Sequence, residues 1–327
     1  MRVLVTGGAG YVGSFTVREL RAAGHEVLVL DNLSTGRREA VGDVPLTVAD
    51  VRDAAALGHV FGEFEPHGVI HLAGLKSSEE SLSQLHTYFE VNVTGTLHVL
   101  NEAAAHGVEF FVFSSSCAVY GTPQICPVDE QAASRPESPY GETKYISERL
   151  IQWYARITGM RYVCLRYFNA AGAAADASLG EFAGERSGQL VPMAMRAALG
   201  IIPEVRIYGD DYPTPDGTAL RDLVHVVDLA RAHVASLKAL AQGQRAGCIN
   251  VGQGTPVSVA ELIAEVGKAS GRDVPVRVVG RRPGDPGQSW ADNTLAREQI
   301  GWSPEYGLRD IAMTSWAWHS GDPDTLR

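Results

Sequence analysis

Residues 1–14 read MRVLVTGGAGYVGS, and this stretch decides the fold. An apolar run with β-branched residues, Arg2 to Thr6, predicts a strand. Glycines follow at Gly7, Gly10 and Gly13, and then a helical pattern begins. A diphosphate can approach the backbone closely only where no Cβ intervenes, and the free N–H groups at a helix start favour its negative charge. The order of strand, glycine turn and helix therefore predicts a dinucleotide-binding unit.

Asp31 supports this interpretation. It ends a second apolar run, Glu26 to Leu30, where an acidic side chain would accept hydrogen bonds from the adenosine ribose. An acid at this place also repels a 2′-phosphate, so the sequence favours NAD over NADP, and Arg37 and Arg38 follow too late in the loop to reverse that preference. The alternative is a merely structural glycine turn, which the ordered succession of strand, triplet, helix, strand and acid disfavours.

Composition limits the class of protein. With 327 residues the chain can form one large domain or two closely joined ones, and its net charge of -10 leaves no basic stripe for nucleic acid. No apolar run reaches membrane-spanning length and the first residues already read as a strand, so we expect a cytoplasmic protein without a membrane partner. The four cysteines, Cys117, Cys126, Cys164 and Cys248, lack metal-ligand spacing and are expected to be reduced, with no disulfide and no metal.

Strands and helices keep alternating beyond this point. Residues 46–49 predict a strand, 53–64 a helix and 68–72 a strand. Such alternation predicts an α/β fold with a doubly wound parallel sheet, in which ligands lie at the carboxyl ends of the strands. Two of these strand ends, with ordinary loop chemistry as the alternative, are expected to lie along the dinucleotide: Asp50-Val51 and Ala73-Gly74-Leu75-Lys76.

The next two elements each carry a polar feature. A helical pattern runs from Glu80 to His106, with Asn92 near its middle. A polar side chain packed against a sheet is costly unless hydrogen-bonded, so Asn92 is expected to fix a neighbouring strand-end loop. The apolar strand Phe110 to Ser116 then ends in three serines, of which we expect Ser116 to present its hydroxyl to a substrate. Taken alone, a serine triplet is equally typical of a turn.

Residues 138–144 read SPYGETK and predict a helix start, because Ser138 is a good N-cap and the proline after it a good first residue. The helix should reach about residue 158, with Tyr140 and Lys144 on one face. An ammonium group near a phenol favours the phenolate, and a positive nicotinamide ring would act in the same direction, so we expect the pKa of Tyr140 to fall from its ordinary value of about 10. Such a tyrosine can act as a general acid or base on a sugar or alcohol hydroxyl, and an exposed helix pair is the alternative.

Short motifs are spread over nearly the whole chain. They are TGGAGYVGS, DNLSTG, HLAGLK, FSSSCAVYG, SPYGETK, LRYFNAAGA, YGDDYPTPDGTALRDLVHV, RRPGD and WAD. On these residues the chain resembles the extended short-chain dehydrogenase/reductase family and, more narrowly, its UDP-glucose (UDP-galactose) 4-epimerases. Sister dehydratases carry an Asp-Glu pair where this chain has Cys117 and Ala118, which disfavours dehydration. The resemblance implies a Rossmann-type NAD-binding domain over 1–168, with returning segments near 222–252, and a smaller mixed α/β C-terminal domain, 169–327, that mainly binds a UDP-sugar.

The resemblance also implies a reaction, 4-epimerisation without net redox change. Tyr140 would take the proton of the sugar 4-hydroxyl, with Ser116 in hydrogen-bond reach, while C4 gives a hydride to NAD and receives it back on its other face. Lys144 would hold the nicotinamide ribose, so the implied catalytic residues are Ser116, Tyr140 and Lys144. NAD should be bound tightly, because the reduced cofactor must survive until it returns the hydride. A homodimer is implied as well, through the helices around 85–105 and 140–158.

Binding residues follow from the same resemblance, and Arg221 and Arg282 would hold the diphosphate while Asp285 takes the uridine ribose. Contacts with NAD are implied for Gly7, Gly10, Tyr11, Val12, Gly13, Asp31, Asn32, Ser34, Thr35, Gly36, Asp50, Val51, Leu72, Ala73, Gly74, Lys76, Asn92, Ser114, Tyr140, Lys144 and Phe168. Contacts with the UDP-sugar are implied for Lys76, Ser116, Tyr140, Asn169, Gln189, Leu190, Arg206, Tyr208, Arg221, Arg282, Asp285 and Ser289.

Three places depart from the family's pattern. Ser78 and Glu79 stand where a small apolar residue and a glycine are usual, and Gln189 stands where Asn or His is usual. Ser289 occupies a place often held by a bulky tyrosine in members restricted to glucose and galactose. A small side chain there leaves space for a 2-acetamido group, which predicts activity on UDP-N-acetylglucosamine or UDP-N-acetylgalactosamine as well.

Three alternative functions stay open on the sequence. Two belong to the same superfamily: an epimerase of a pentose or uronic acid nucleotide, and a net NAD(P)-dependent nucleotide-sugar oxidoreductase. The third is a dinucleotide-sensing regulator without catalysis. A regulator of that kind would typically lose the tyrosine or the lysine, and Tyr140 and Lys144 are both present.

Overall fold

The computed structural model of the chain describes residues 1–182, 188–282 and 285–321. Its strands are β1 Arg2–Thr6, β2 Glu26–Asp31, β3 Leu46–Val48, β4 Gly68–His71, β5 Phe110–Ser116, β6 Arg161–Tyr167, β7 Asn169–Ala171, β8 Val205–Tyr208, β9 Leu220–Arg221, β10 Leu223–His225, β11 Gly247–Val251, β12 Val257–Ser258, β13 Val276–Val279 and β14 Gln288–Ser289. Its α-helices are α1 Tyr11–Ala22, α2 Ala54–Phe64, α3 Ser78–Ser83, α4 Leu85–Phe89, α5 Gly95–Ala105, α6 Pro139–Thr158, α7 Leu190–Ala198, α8 Val226–Ala241, α9 Val259–Ser270, α10 Thr294–Ile300 and α11 Leu308–Gly321.

A seven-stranded parallel sheet forms the centre of the molecule, in the order β11-β6-β5-β4-β1-β2-β3. Helices α1 and α8 pack on one face, while α2, α5 and α6 cover the other. Both faces are therefore buried, which is why β1 is apolar at consecutive positions rather than at alternate ones. The predicted doubly wound parallel sheet is confirmed. From β1 the chain adds β2 and β3 on one side of the sheet and then β4, β5 and β6 on the other. The strand order therefore reverses between β1 and β4, and the carboxyl ends of these two strands border a crevice.

The predicted elements of the first half are present with ends shifted by at most one residue, except for the helix predicted over 80–106, which is wrong as a single helix. Backbone torsions at Gln84 (φ −123°, ψ 39°) separate α3 from α4, and a π-helical turn, Glu90–Thr94, lies between α4 and α5. Hydrophobic periodicity does not detect such breaks. A π turn inside a helix is frequent at functional sites.

The C-terminal part is a smaller mixed α/β structure. Its short strands form three separate sheets, β10-β7, β12-β9-β14 and β13-β8. Helices α7, α9 and α11 pack together around a second apolar core that includes Met195, Leu262 and Ile311. A C-terminal segment also returns to the central sheet, because β11 pairs with β6 along Gly247 to Val251. This return brings the two parts of the chain together at the carboxyl edge of the sheet.

Three further findings concern membrane helices, cysteines and metal sites. Within the described ranges, no helix combines the length and the apolar character needed to cross a bilayer. The four cysteines are all free thiols. The same ranges contain no group of three or more His, Cys, Asp or Glu side chains placed to hold a metal ion.

Candidate active site

The glycine turn after β1 divides its three glycines between two roles. Gly7 has a positive φ of 75°, and a Cβ there would lie 2.5 Å from the backbone nitrogen of Ala73; a Cβ on Gly13 would lie 2.1 Å from the carbonyl oxygen of Gly7. The packing of the backbone by itself therefore requires glycine at positions 7 and 13. A Cβ on Gly10 would meet only that same carbonyl, at 3.3 Å, and α1 begins at Tyr11 with no side-chain cap. The first-turn N–H groups beside Gly10 stay available, which fits an anionic diphosphate.

Asp31, at the end of β2, holds the neighbouring loop against this turn. Its carboxylate accepts hydrogen bonds from the backbone N–H of Ala9 at 3.0 Å and from that of Leu33 at 2.8 Å. The loop returns so closely that a Cβ on Gly36 would lie 2.8 Å from the backbone carbon of Ala9. Each carboxylate oxygen keeps a further lone pair, so Asp31 is placed to accept hydroxyls of a ribose.

Asp50 lies after β3, and its carboxylate accepts several hydrogen bonds. Arg52 donates to it through Nε and NH2 at 2.9 and 2.8 Å, and Asn32 donates through Nδ2 at 2.9 Å. These bonds, with that of the Arg52 guanidinium first, hold the pKa of Asp50 well below its usual range. Ser34 and Thr35 lie exposed in the loop after β2 that carries Asn32, and the Ser34 N–H donates to Asn32 Oδ1.

Some residues of the implied NAD set use their side chains for packing instead. Val51 is 5% exposed and belongs to the apolar core on the α2 face of the sheet, and Val12 packs on the opposite core. The backbone N–H groups of Leu72 and Ala73 both donate to the carbonyl of Thr6, at 2.9 and 3.0 Å. The side chains of Val12 and Val51 and the backbone N–H groups of Leu72 and Ala73 are therefore used within the protein and shape the crevice.

Asn92 fixes the loop after β4, as predicted. Its Oδ1 accepts from the N–H of Leu75 at 2.8 Å, and its Nδ2 donates to the Leu75 carbonyl at 3.0 Å. A Cβ on Gly74 would lie 3.0 Å from Asn92 Oδ1 and 3.5 Å from Lys144 Nζ. The π turn that carries Asn92 therefore joins the strand-end loop to helix α6.

The three serines that end β5 have different partners because neighbouring strand residues face opposite sides of a sheet. Ser114 Oγ lies 2.9 Å from His233 Nε2 in α8, and Ser115 donates to Glu148 Oε1 in α6 at 2.6 Å. Ser116 Oγ accepts from the N–H of Ala118 at 3.1 Å and faces the phenol of Tyr140. Two serines thus anchor the strand to helices on its two faces, while the third is directed to the site.

Tyr140 and Lys144 lie one turn apart in α6 and are buried, with 7% and 5% of their surface exposed. Ser138 caps this helix as predicted, accepting from the Gly141 N–H at 3.1 Å. Lys144 Nζ donates to the carbonyl of Ser114 at 2.9 Å. The ammonium group is thereby fixed between helix α6 and strand β5, close to Gly74.

The predicted fall in the pKa of Tyr140 is wrong for the protein groups by themselves. Burial raises this pKa, the nearby Tyr167 acts in the same direction, and the Ser116 hydroxyl lowers it. Burial also lowers the pKa of Lys144 to about 8, although Glu148 raises it. Desolvation thus outweighs the attraction expected between phenolate and ammonium. At neutral pH Tyr140 therefore stays a protonated phenol, unable to accept a proton, until further positive charge is placed beside it.

A buried ion pair supports the site and was not identified in the sequence. Glu148 accepts from Arg166 Nε and NH2 at 2.9 and 2.6 Å, and both side chains are almost fully buried. Because Glu148 also bonds Ser115, it joins α6, β5 and β6 directly beneath Tyr140 and Ser116. Its spacing of four residues from Lys144 places it on the same helix face, which is a signal that could have identified it.

Lys76 pairs with an acid at the edge of the crevice. Its Nζ lies 2.9 Å from Glu181 Oε1 and 5.8 Å from the centre of the Tyr11 ring. With the Gln189 amide oriented to satisfy its neighbours, Gln189 accepts from Lys76 Nζ at 2.9 Å and donates to both Glu181 oxygens at 3.0 Å. Gln189 precedes α7, whose first residue, Leu190, is partly buried. The structure thus brings together two implied substrate residues, Lys76 and Gln189.

The implied diphosphate arginines also have acidic partners. Arg221 NH2 lies 2.5 Å from Asp285 Oδ1, so two implied substrate residues bind each other. Ser289 lies opposite Arg221 in the parallel pairing of β14 with β9. Arg282 lies 3.4 Å from Glu79 Oε2, with its guanidinium carbon 4.1 Å from the centre of the Tyr208 ring.

The remaining implied residues lie around these groups. Arg206 lies on the same face of β8 as Tyr208, is exposed, and has no acidic partner within ion-pair distance in the described ranges. Phe168 is buried beside Tyr120, whereas Asn169 is exposed and its backbone N–H donates to the carbonyl of Asp222 at 3.0 Å.

Comparisons with known proteins agree with this geometry. The family model described as the NAD dependent epimerase/dehydratase family matches residues 3–252. A UDP-glucose 4-epimerase of Rhizobium leguminosarum bv. trifolii is 42% identical over 97% of both chains. The crystal structure of UDP-glucose-4-epimerase from Stenotrophomonas maltophila, with bound NAD and formylated UDP-arabinopyranose, is 38% identical with a TM-score of 0.95 over 98% of both chains. That of the Brucella ovis enzyme in complex with NAD is 41% identical with a TM-score of 0.94, covering 96% of this chain and 97% of that one.

Proposed function

This chain belongs to the NAD-dependent epimerase/dehydratase family, and from that membership we propose that it interconverts UDP-glucose and UDP-galactose with a tightly bound NAD. The observation that carries the proposal is the buried phenol of Tyr140, which faces the Ser116 hydroxyl beside Lys144. This group lies at the carboxyl edge of a doubly wound sheet, next to a turn that fits a dinucleotide. Relatives named UDP-glucose 4-epimerases match almost the whole chain, which supports the same reaction.

The protein groups have distinct parts in this reaction. NAD, when bound, takes up and returns the hydrogen and electron pair of the sugar C4 atom. Tyr140 Oη removes the 4-hydroxyl proton and later gives it back, and the Ser116 hydroxyl orients that oxygen. Lys144 keeps its bond to the Ser114 carbonyl, and its other N–H groups would hold the nicotinamide ribose of a bound NAD. No acidic side chain follows Ser116, since Cys117 and Ala118 stand there, so loss of water is disfavoured.

The proposed cofactor site extends along the crevice. The open start of α1 at Gly10 would hold the diphosphate, Asp31 would hold the adenosine ribose, and Asp50 would face the adenine. We place the boundary of the NAD-binding part near residue 168, with returning segments near 222–252. The UDP-sugar is held from the C-terminal part by Arg221, Arg282 and Asp285, together with the rest of the implied substrate set.

The proposed substrate range includes N-acetylated hexoses. Ser289 lies opposite Arg221 across the β14-β9 pairing, so a small side chain borders a proposed diphosphate ligand. Space at this position admits a 2-acetamido group that a tyrosine side chain would exclude. UDP-N-acetylglucosamine and UDP-N-acetylgalactosamine are therefore proposed as further substrates.

We also propose a homodimer and a cytoplasmic location. Trp153 and Ile157 lie one turn apart on α6 and are 53% and 80% exposed, and Leu85 on the neighbouring α4 is 55% exposed. A second copy of the chain would cover this apolar face, which lies in the helices around 85–105 and 140–158 through which the homodimer is implied. The free thiols support a reducing compartment such as the cytoplasm.

One experiment tests the proposed function directly. Purified protein is incubated with UDP-galactose without added cofactor, and the product is separated by chromatography. We expect UDP-glucose to form to equilibrium. A net oxidoreductase would need stoichiometric NAD(P)H or NAD(P), and a sensing regulator would leave the sugar unchanged, so either result would overturn the proposal.

A further inference from the structure

An ion pair joins the two parts of the molecule at the proposed substrate site. Glu79 lies in α3, which packs on helix α6 beside the proposed catalytic residues, whereas Arg282 lies in the C-terminal part after β13. Glu79 Oε2 and Arg282 NH2 are 3.4 Å apart. The guanidinium of Arg282 also stacks on Tyr208, with its carbon 4.1 Å from the ring centre. The contact with Tyr208 holds the guanidinium in place, and the Glu79 carboxylate lies beside its NH2 group.

The carboxylate of Glu79 is the most exposed of three acids that pair with implied substrate residues. Lys76 pairs with Glu181, Arg221 pairs with Asp285, and Arg282 pairs with Glu79. The side chain of Glu181 is 10% exposed and that of Asp285 is 31% exposed, but that of Glu79 is 68% exposed. An exposed carboxylate can rotate into water at small cost, so the pair of Glu79 is the easiest of the three to open.

We propose that Glu79 sets the affinity for the UDP-sugar by occupying Arg282, so that the diphosphate binds only by displacing this carboxylate. The inference rests on the proposed function. A fork-shaped guanidinium can bind a carboxylate or a phosphate edge, but the same N–H group cannot serve both fully. The free energy that the Glu79–Arg282 pair contributes in the protein without substrate must be given up when the diphosphate binds, so it weakens substrate binding by the same amount. Glu79 thus lowers substrate affinity without touching the reacting atoms.

The test is a gain of affinity, which damage to the fold does not imitate. Glu79→Gln removes the charge and keeps the shape of the side chain. Because exposed pairs are weak, we expect the Kd for UDP, measured by titration calorimetry, to fall about two- to fivefold, and the KM for UDP-galactose to fall with it. Raised salt should reduce the difference from wild type.

The chain offers a closely matched control pair. Glu65 lies 3.3 Å from Arg2, and their side chains are 73% and 35% exposed, against 68% and 34% for Glu79 and Arg282. Glu65→Gln removes the same charge far from the crevice and should leave the Kd for UDP unchanged. An equal gain in this variant would mean that the overall field is responsible and would overturn the inference.

Making Glu79→Gln in an Arg282→Gln variant shows whether Glu79 lowers the affinity for UDP through Arg282. In Arg282→Gln, the further change Glu79→Gln should give no gain in affinity for UDP, and a gain of the same size would overturn the inference. If wild type neither binds UDP nor converts UDP-galactose, the proposed function fails. If wild type does both but Glu79→Gln binds UDP as wild type does, only the inference about Glu79 fails.

Discussion

Lys144 Nζ and the carbonyl oxygen of Ser114 are 2.9 Å apart, and this bond joins the helix that carries Tyr140 to the strand that carries Ser116. The bond is one part of a layered support. Below it, Glu148 connects the same helix to Ser115, the next strand residue. The relative position of phenol and hydroxyl is therefore set by buried side chains that do not themselves reach the substrate.

Tyr140→Phe should abolish epimerisation and leave the fold intact. The phenyl ring fills the same buried space, but no group remains to exchange a proton with the 4-hydroxyl, so we expect kcat to fall by about two to four orders of magnitude. Bound NAD, measured by release on denaturation, should stay at the wild-type level. Turnover within tenfold of wild type would contradict the role given to this residue.

Lys144→Met should make the protein more stable while removing activity. Burial lowers the pKa of Lys144 from 10.5 to about 8, which means that the folded state disfavours the ammonium form. At neutral pH this net difference costs about 3 kcal/mol of unfolding free energy relative to an uncharged side chain. We therefore expect a higher Tm for the variant at pH 7.

The pH dependence of that difference has a definite sign. Below pH 8 both the folded and the unfolded chain keep the proton on Lys144, so the cost is fully present. As the pH rises from about 8 to 10.5, the folded chain loses the proton first and the cost disappears. The gain in Tm of Lys144→Met over wild type should shrink across this window. A gain that grows with pH, or a lower Tm at pH 7, would contradict the prediction.

The buried ion pair of Glu148 and Arg166 allows a test of how much stability is lost when one buried charge is left without its partner. Glu148→Gln leaves the guanidinium without its carboxylate in a site that water scarcely reaches, and we expect a loss of about 3–5 kcal/mol in unfolding free energy. Removing both charges, with Glu148→Leu and Arg166→Met together, should cost less than the single change. Urea unfolding of wild type and of these two variants measures the difference, and a double variant that loses more stability than Glu148→Gln would contradict the prediction.

Much of the first half could be predicted from sequence because its signals are local. Strand β5 and helix α6 have the expected ends, since an apolar run, the Ser138 cap and the proline after it act within a few residues. At the other end of α6, Gly159 adopts the left-handed conformation (φ 80°) that typically ends a helix. Asn92 could be predicted because a buried amide needs partners wherever it lies.

The acidic partners of the site could not be predicted. Lys76 and Glu181 are 105 residues apart in the chain, and only the packing of the C-terminal part on the sheet brings them together. The predicted direction of the pKa shift of Tyr140 is wrong for the protein groups by themselves, for a related reason. Burial is a tertiary property, and it outweighs the attraction that the four-residue spacing from Lys144 suggested. Sequence spacing shows which groups share a helix face, but not how dry their surroundings are.

Trp153→Glu combined with Ile157→Glu should convert a dimer into a monomer. These side chains form the most exposed apolar part of α6, and two carboxylates facing their copies would repel across a two-fold contact. Light scattering after size-exclusion chromatography measures the mass directly. Lys238→Glu, on α8, is the control for added negative charge and should stay dimeric. A monomeric wild-type protein, or a double variant that still dimerises, would contradict the proposed interface.

Ser289→Tyr should narrow the substrate range. The larger side chain would fill the space beside Arg221 that the 2-acetamido group is proposed to occupy, while UDP-galactose carries only a hydroxyl at that carbon. We expect kcat/KM for UDP-N-acetylgalactosamine to fall at least tenfold relative to that for UDP-galactose, since a steric clash is costly in a packed site. Ser289→Ala, which keeps the space open, should retain the wild-type ratio. An unchanged ratio in the tyrosine variant would mean that Ser289 does not border the sugar.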